Sequence, residues 1–178
     1  MHGKVIRPSK EAVKEEDSRQ ATPVELAAVL MDAVCRTTVQ EKDSIEQLAL
    51  TLDADAGRIV SELMYLRAFA VDLALEVELG DDSIRDHIMG HYSSHWARID
   101  DQVPGTLTEL SWHLDRYCEA VRHPAGRGVL AELVGAIFAD QCGAASGRSD
   151  LALFGAAMFK SLYDEVARLL ADVELVLE

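Results

Sequence analysis

Along most of the chain, apolar residues recur every three or four positions, in runs separated by short polar breaks rich in Gly, Pro, Ser, Thr and Asp. That period marks amphipathic helices, whereas strands alternate at every second residue. The first run opens at Thr22-Pro23-Val24-Glu25. It offers an N-cap hydroxyl, proline at the first helical position and glutamate at the reciprocal capping position. A helix is predicted over about 23–38, with Leu26, Val29, Leu30, Ala33 and Val34 on its buried side. Ser44 is expected to cap a short helix over 45–52. A long helix follows over about 54–79 and stops at Gly80. Its main stripe is Ile59, Leu63, Leu66, Ala70, Leu73 and Val77, but Met64, Ala68, Val71 and Leu75 cover the other side. A helix apolar nearly all round belongs in the centre of a bundle or in an oligomer interface.

Asp82-Ser83 opens the next helix, to about 101. Pro104-Gly105 breaks the chain, and Thr106 with Glu109 forms a second capping-box pattern for a helix to about 122. A short, almost wholly apolar helix is expected over 128–141. Ser149 or Asp150 then caps a last helix running to the C-terminus, with Leu151, Met158, Leu162, Val166, Leu169, Val173 and Val176 on one face. Neither strand alternation nor an internal repeat is visible. Residues 1–22 lack an apolar stripe and read as a disordered arm. The expected fold is an all-α bundle of five to seven helices in one domain over 23–178, with a long C-terminal helix. Helices 54–79 and 128–141 are expected to be central. The apolar surface of the 54–79 and C-terminal helices further suggests a homodimer through one of them.

Charge narrows the partners. The formal net charge is −14, from 17 basic and 31 acidic residues, and residues 1–22 carry five basic against four acidic. Nearly all the negative charge therefore lies in residues 23–178, which argues against nucleic acid and anionic membranes as partners. Asp72 and Glu76 interrupt the best candidate for a membrane span. The three cysteines, Cys35, Cys118 and Cys142, are widely spaced and form no C-x-x-C, so they read as core residues of a cytoplasmic protein.

The 82–101 helix carries the most distinctive pattern, with His87, His91 and His95 at four-residue spacing. On a helical wheel His91 and His95 fall among Ile84, Ile88, Tyr92 and Ile99, with His87 at the edge, so the imidazoles are expected to face the bundle. A pair of histidines at i, i+4 can clamp a metal. All three cannot share one ion, because His87 and His95 stand roughly 12 Å apart along the axis. The 54–79 helix is the expected antiparallel neighbour. Counting from Gly80-Asp81 sets Glu76 level with about His87 and Asp72 level with about His91. Glu62, Tyr65, Phe69, Asp72 and Glu76 share one lane of that helix. A divalent transition metal (Zn, Fe or Mn) held by His87, His91 or His95 with Asp72 and Glu76 is one expectation; register-fixing hydrogen bonds are the plainer one.

Aromatic residues add a second candidate. Tyr92, Trp96, His113 and Tyr117 cluster in two successive helices and are candidates to line a small-molecule pocket. Residues 45–63 have the rhythm of a helix-turn-helix, but Arg58 is almost the only basic residue there that could read DNA. Nucleophile-elbow, phosphate-loop and dinucleotide motifs are absent. Taken together, these patterns favour a non-catalytic binding or regulatory module for a protein or small ligand. The alternative is a metal-binding bundle with redox or hydrolytic chemistry, and a degenerate helix-turn-helix protein is a remote third.

Overall fold

The computed structural model describes residues 19–124, 129–143 and 147–176. Among them run seven helices: α1 (Pro23–Cys35), α2 (Val39–Leu52), α3 (Ala56–Leu79), α4 (Ser83–Gln102), α5 (Thr106–Arg122), α6 (Leu130–Cys142) and α7 (Arg148–Asp172). The fold is all-α, a helical bundle with a long C-terminal helix. Two three-residue strands, β1 (Arg19–Ala21) and β2 (Val173–Leu175), pair in parallel at its ends. The strands were not expected. Residues 19–21 belong to β1 and Thr22 caps α1, while residues 1–18 of the expected arm lie outside the described residues. Likewise α7 yields at Asp172 to extended backbone.

The caps explain where the helices begin. Thr22 and Glu25 form the expected reciprocal box: Thr22 N–H donates to Glu25 Oε2 at 2.9 Å, and Glu25 N–H donates to Thr22 Oγ1 at 3.3 Å. A second box, Thr38 with Glu41, opens α2 well before the expected Ser44. Ser44 lies inside the helix and donates its hydroxyl to the Gln40 carbonyl. Thr38 is thus a start signal, and α1 ends at Cys35. At α3 the cap is Asp55, whose Oδ1 accepts from the N–H groups of Gly57 and Arg58.

The expected Thr106–Glu109 box does not form. Gly105, at φ 100°, occupies the N-cap of α5, and Thr106 donates its hydroxyl to the Val103 carbonyl. The orphan N–H groups of Gly105 and Leu107 are met by Asp100 Oδ1, both at 3.0 Å. Neither Ser149 nor Asp150 caps α7, which starts directly after Gly147 in the left-handed region.

α3 is the central helix. Ile59, Leu63, Leu66 and Ala70 on one side, and Ala68, Val71 and Leu75 on the other, are all buried. All seven helices contribute to the same apolar cluster, and α3 packs against every one of the other six. The all-round apolarity of α3 is therefore met within the chain. α6 is more one-sided than expected: it buries Val134, Gly135, Phe138, Ala139 and Cys142. It lies along α7 in the most extensive helix contact of the fold. Glycines permit that approach, since a Cβ on Gly135 would collide with the Ala152 carbonyl and one on Gly155 with the Phe138 ring. Val29, expected inside α1, is half exposed.

α4 departs most from expectation. Its main partner is α1 and not α3. Its buried stripe is Ile88, Tyr92 and Trp96. The larger aromatic side chains take the interior, and each histidine, one position earlier, is turned about 100° away from it. His87 and His91 are exposed and His95 is half-buried. Arg58 of the helix-turn-helix-like segment, and Arg67 beyond it, are engaged within the chain. Arg58 Nε donates to the Gln141 carbonyl at 2.8 Å, and Arg67 is buried against Glu41 and the Arg36 carbonyl. No helix among the described residues is long and apolar enough to cross a membrane.

Candidate functional site

The lane of α3 that carries Glu62, Tyr65, Phe69, Asp72 and Glu76 faces α5 over much of its length. Its N-terminal half is filled by a polar lattice. Glu62 is 3% exposed and takes two partners from α5. Tyr117 donates its hydroxyl to Glu62 Oε1 at 2.5 Å, and His113 Nδ1 stands 2.9 Å from Oε2, though off the line of a good hydrogen bond. Tyr65 stacks on the His113 ring with centroids 4.1 Å apart, and its hydroxyl donates to Glu109 Oε2 at 2.8 Å. Burial, and then the neighbouring Glu62, pushes the Tyr117 hydroxyl far above the ordinary phenol range, so it stays a donor. The Cys142 thiol, buried near the same carboxylate, is pushed up to about 12. This lattice fixes α5 against α3.

The C-terminal half of the lane is different. Here lies a hollow of about 370 Å³, lined by Phe69, Asp72, Leu73 and Glu76 from α3 and by Leu114, Cys118, Val121 and Arg122 from α5. It runs into a second hollow of about 500 Å³ that shares Leu73, Glu76 and Val121, and is closed by Val77, Ala120, Leu130 and Tyr163. Together they make one cleft with a mostly apolar lining. The two volumes lie in the range of small-molecule sites.

Asp72 contributes to this wall, while its Oδ1 is shielded from solvent and has no hydrogen-bond partner among the described residues. Burial, reinforced by Glu76 one turn on, raises its carboxyl to about 7. Arg122 lines the same hollow but forms no ion pair with either carboxylate. Behind Asp72, Tyr92 and Trp96 meet edge to face with centroids 6.3 Å apart, and the Tyr92 hydroxyl and Trp96 N–H are buried beside one another. The Cys118 thiol is raised mainly by burial, partly offset by Arg122. It is a neutral thiol and a poor nucleophile.

The residues singled out from the sequence divide between these places. Asp72 and Glu76 do share a site, but their companions are Cys118 and Arg122 of α5 and not histidines of α4. His87 and His91 are exposed on α4 and do not face the carboxylates of α3, and His95 Nδ1 pairs with the Arg98 guanidinium at 2.9 Å. Among the described residues no three His, Cys, Asp or Glu side chains converge in a way that could hold a metal ion. None of the four aromatic-pocket candidates lines the cleft: Tyr92 and Trp96 are core, and His113 and Tyr117 belong to the Glu62 lattice. Cys118 and Arg122 were missed as site residues. The available signal was the spacing of Leu114, Cys118, Val121 and Arg122, with Leu114 and Arg122 four residues and Val121 three residues from Cys118, on one face of α5. No family model matches the chain, and no curated protein or solved structure is similar enough to it to count as a match.

Proposed function

We propose that this protein is a non-catalytic binding module for a small, largely apolar ligand held in the cleft between α3 and α5. The observation that carries this reading is the cleft itself: two adjoining hollows of about 370 and 500 Å³ with mostly apolar walls, and with Asp72, Glu76 and Arg122 among the lining residues. The lining also has the make-up of a binding site, an apolar surface with a few convergent polar groups.

The test is fluorescence titration with the uncharged probe N-phenyl-1-naphthylamine, whose emission rises in apolar surroundings. Val121 lines both hollows and is 49% exposed, so Val121→Trp obstructs the cleft without entering the core. Saturable enhancement in the wild type that Val121→Trp abolishes supports the reading. Absence of enhancement, or enhancement unchanged by Val121→Trp, refutes it.

A further inference from the structure

We infer that α4 carries a two-histidine chelate for a divalent transition-metal ion of the nickel, copper or zinc type, formed by the exposed imidazoles of His87 and His91. Neither histidine lines the cleft, so this site stands or falls independently of the ligand reading above.

His87 and His91 lie four residues apart within one unbroken helix, which brings their Cβ atoms to about 5–6 Å. Two imidazole nitrogens bound to one ion at about 2.0–2.1 Å each stand about 3–4 Å apart, a span that such a pair reaches by side-chain rotation alone. Both side chains are exposed, so that rotation meets solvent and not the core. The buried stripe of Ile88, Tyr92 and Trp96 meanwhile anchors the helix and keeps the pair on its outer side. Gly90 stands beside the two histidines. Apart from its neighbours along α4, no atom of the described residues lies within 4 Å of where its Cβ would be. An ion with water on its remaining positions therefore has open space beside the pair.

Chemistry selects both the ion and the pair. Imidazole suits nickel, copper and zinc, whereas magnesium and calcium take oxygen ligands. His95, four residues further on, is a second possible companion for His91, but it is half-buried and its Nδ1 stands 2.9 Å from the Arg98 guanidinium. A guanidinium only donates, so Nδ1 accepts and the ring proton sits on Nε2. Neither nitrogen of His95 then offers a lone pair, and the Arg98 charge repels a cation placed there. Arg98 thus closes one end of the histidine row and leaves His87 with His91 at the other. The net charge of −14 adds a general attraction for cations. Two protein donors leave the other positions to water, unlike the four-ligand closure of a structural metal site.

The experiment is calorimetric titration of the full chain with Ni²⁺ at pH 8, and with Mg²⁺ as control, on the wild type and on His87→Ala, His91→Ala and His95→Ala. His2, His113, His123 and the three cysteines are the same in all four proteins, so differences between them report on α4 alone. A Ni²⁺ site is expected that His87→Ala and His91→Ala each weaken by at least about tenfold, because the second bond of a chelate forms within the molecule. His95→Ala should leave that affinity unchanged, and Mg²⁺ should give no matching heat. Alanine favours an exposed helical position, so the metal-free variants should melt no lower than the wild type. Ni²⁺ affinity that survives both His87→Ala and His91→Ala overturns the site, as does a response to Mg²⁺ equal to that to Ni²⁺. Loss on His91→Ala and His95→Ala with His87→Ala unaffected overturns the assignment to His87 and His91.

Discussion

The Tyr117 hydroxyl donates a 2.5 Å hydrogen bond to Glu62 Oε1 where both side chains are almost wholly removed from solvent. It ties α5 to α3 beside Phe69, which stacks on Tyr117 and lines the cleft. The bond therefore serves as a strut. Tyr117→Phe keeps the ring stacked on Phe69, with centroids 5.3 Å apart, but strips Glu62 of its best donor. The expected loss is about 1.5–3 kcal/mol in urea unfolding. A loss below about 0.5 kcal/mol would show that the strut contributes little.

Glu41 works on two sides at once: Oε2 accepts from Thr38 N–H to complete the α2 cap, and Oε1 pairs with buried Arg67. Its Oε2 contacts and the Arg67 charge hold the carboxyl below the usual range, against the opposing effect of burial. Glu41→Ala should cost about 3–5 kcal/mol, because it leaves Arg67 charged and buried without its partner. Thr38→Ala should cost about 1 kcal/mol as a lost cap, and Ser44→Ala no more than about 0.5 kcal/mol. Thermal unfolding of the three variants checks the order. A Ser44→Ala loss larger than that of Thr38→Ala would contradict the observed start of α2.

These caps show how far the sequence could be read. The helical period revealed the elements and the central role of α3, because repeated apolar spacing is a local property of each segment. Thr38 and Glu41 carry the same pattern as Thr22 and Glu25, yet the apolar run ahead of Thr38 hid the break. The site was harder to foresee. Asp72 and Glu76 stood out as acidic residues in an apolar lane, but which helix faces them depends on packing between distant segments. On α4 the contest for the interior was decided by volume. Tyr92 and Trp96 bury more apolar area than His91 and His95, and a rotation of one residue decides which set goes inside.

Asp72 sets a pH dependence. Its folded carboxyl titrates near 7, against about 3.9 in an unfolded chain. Below pH 4 both states carry the proton and the group has no net effect. As pH rises from about 4 to 7 the unfolded chain releases the proton first, so wild-type stability declines over that window and levels off above it. Asp72→Asn removes this decline. Relative to the wild type, the variant should gain stability between pH 4 and pH 8, by about 1–4 kcal/mol at the upper end. Parallel pH–stability curves for the two proteins would contradict the buried, unmet carboxyl.

Glycine positions separate contact from propensity. Gly135→Ala drives a methyl into the Ala152 carbonyl of α7 and should destabilise by about 1–3 kcal/mol or more. Gly90, within α4, has nothing within 4 Å of an added Cβ. Gly90→Ala should instead stabilise by about 0.5–1 kcal/mol through helix propensity. Paired melting curves read the opposite signs directly.

Cys118 offers the most direct view of the cleft, because its thiol lines the first hollow while Cys35 is exposed on α1 and Cys142 is buried. The decisive measurement is the iodoacetamide alkylation rate of each cysteine at pH 8.5, followed by peptide mass spectrometry with and without saturating N-phenyl-1-naphthylamine. Occupation of the cleft should slow alkylation of Cys118 severalfold and leave Cys35 unchanged. A bound probe that leaves the Cys118 rate unaltered would place the ligand elsewhere and contradict the α3–α5 cleft as the binding site.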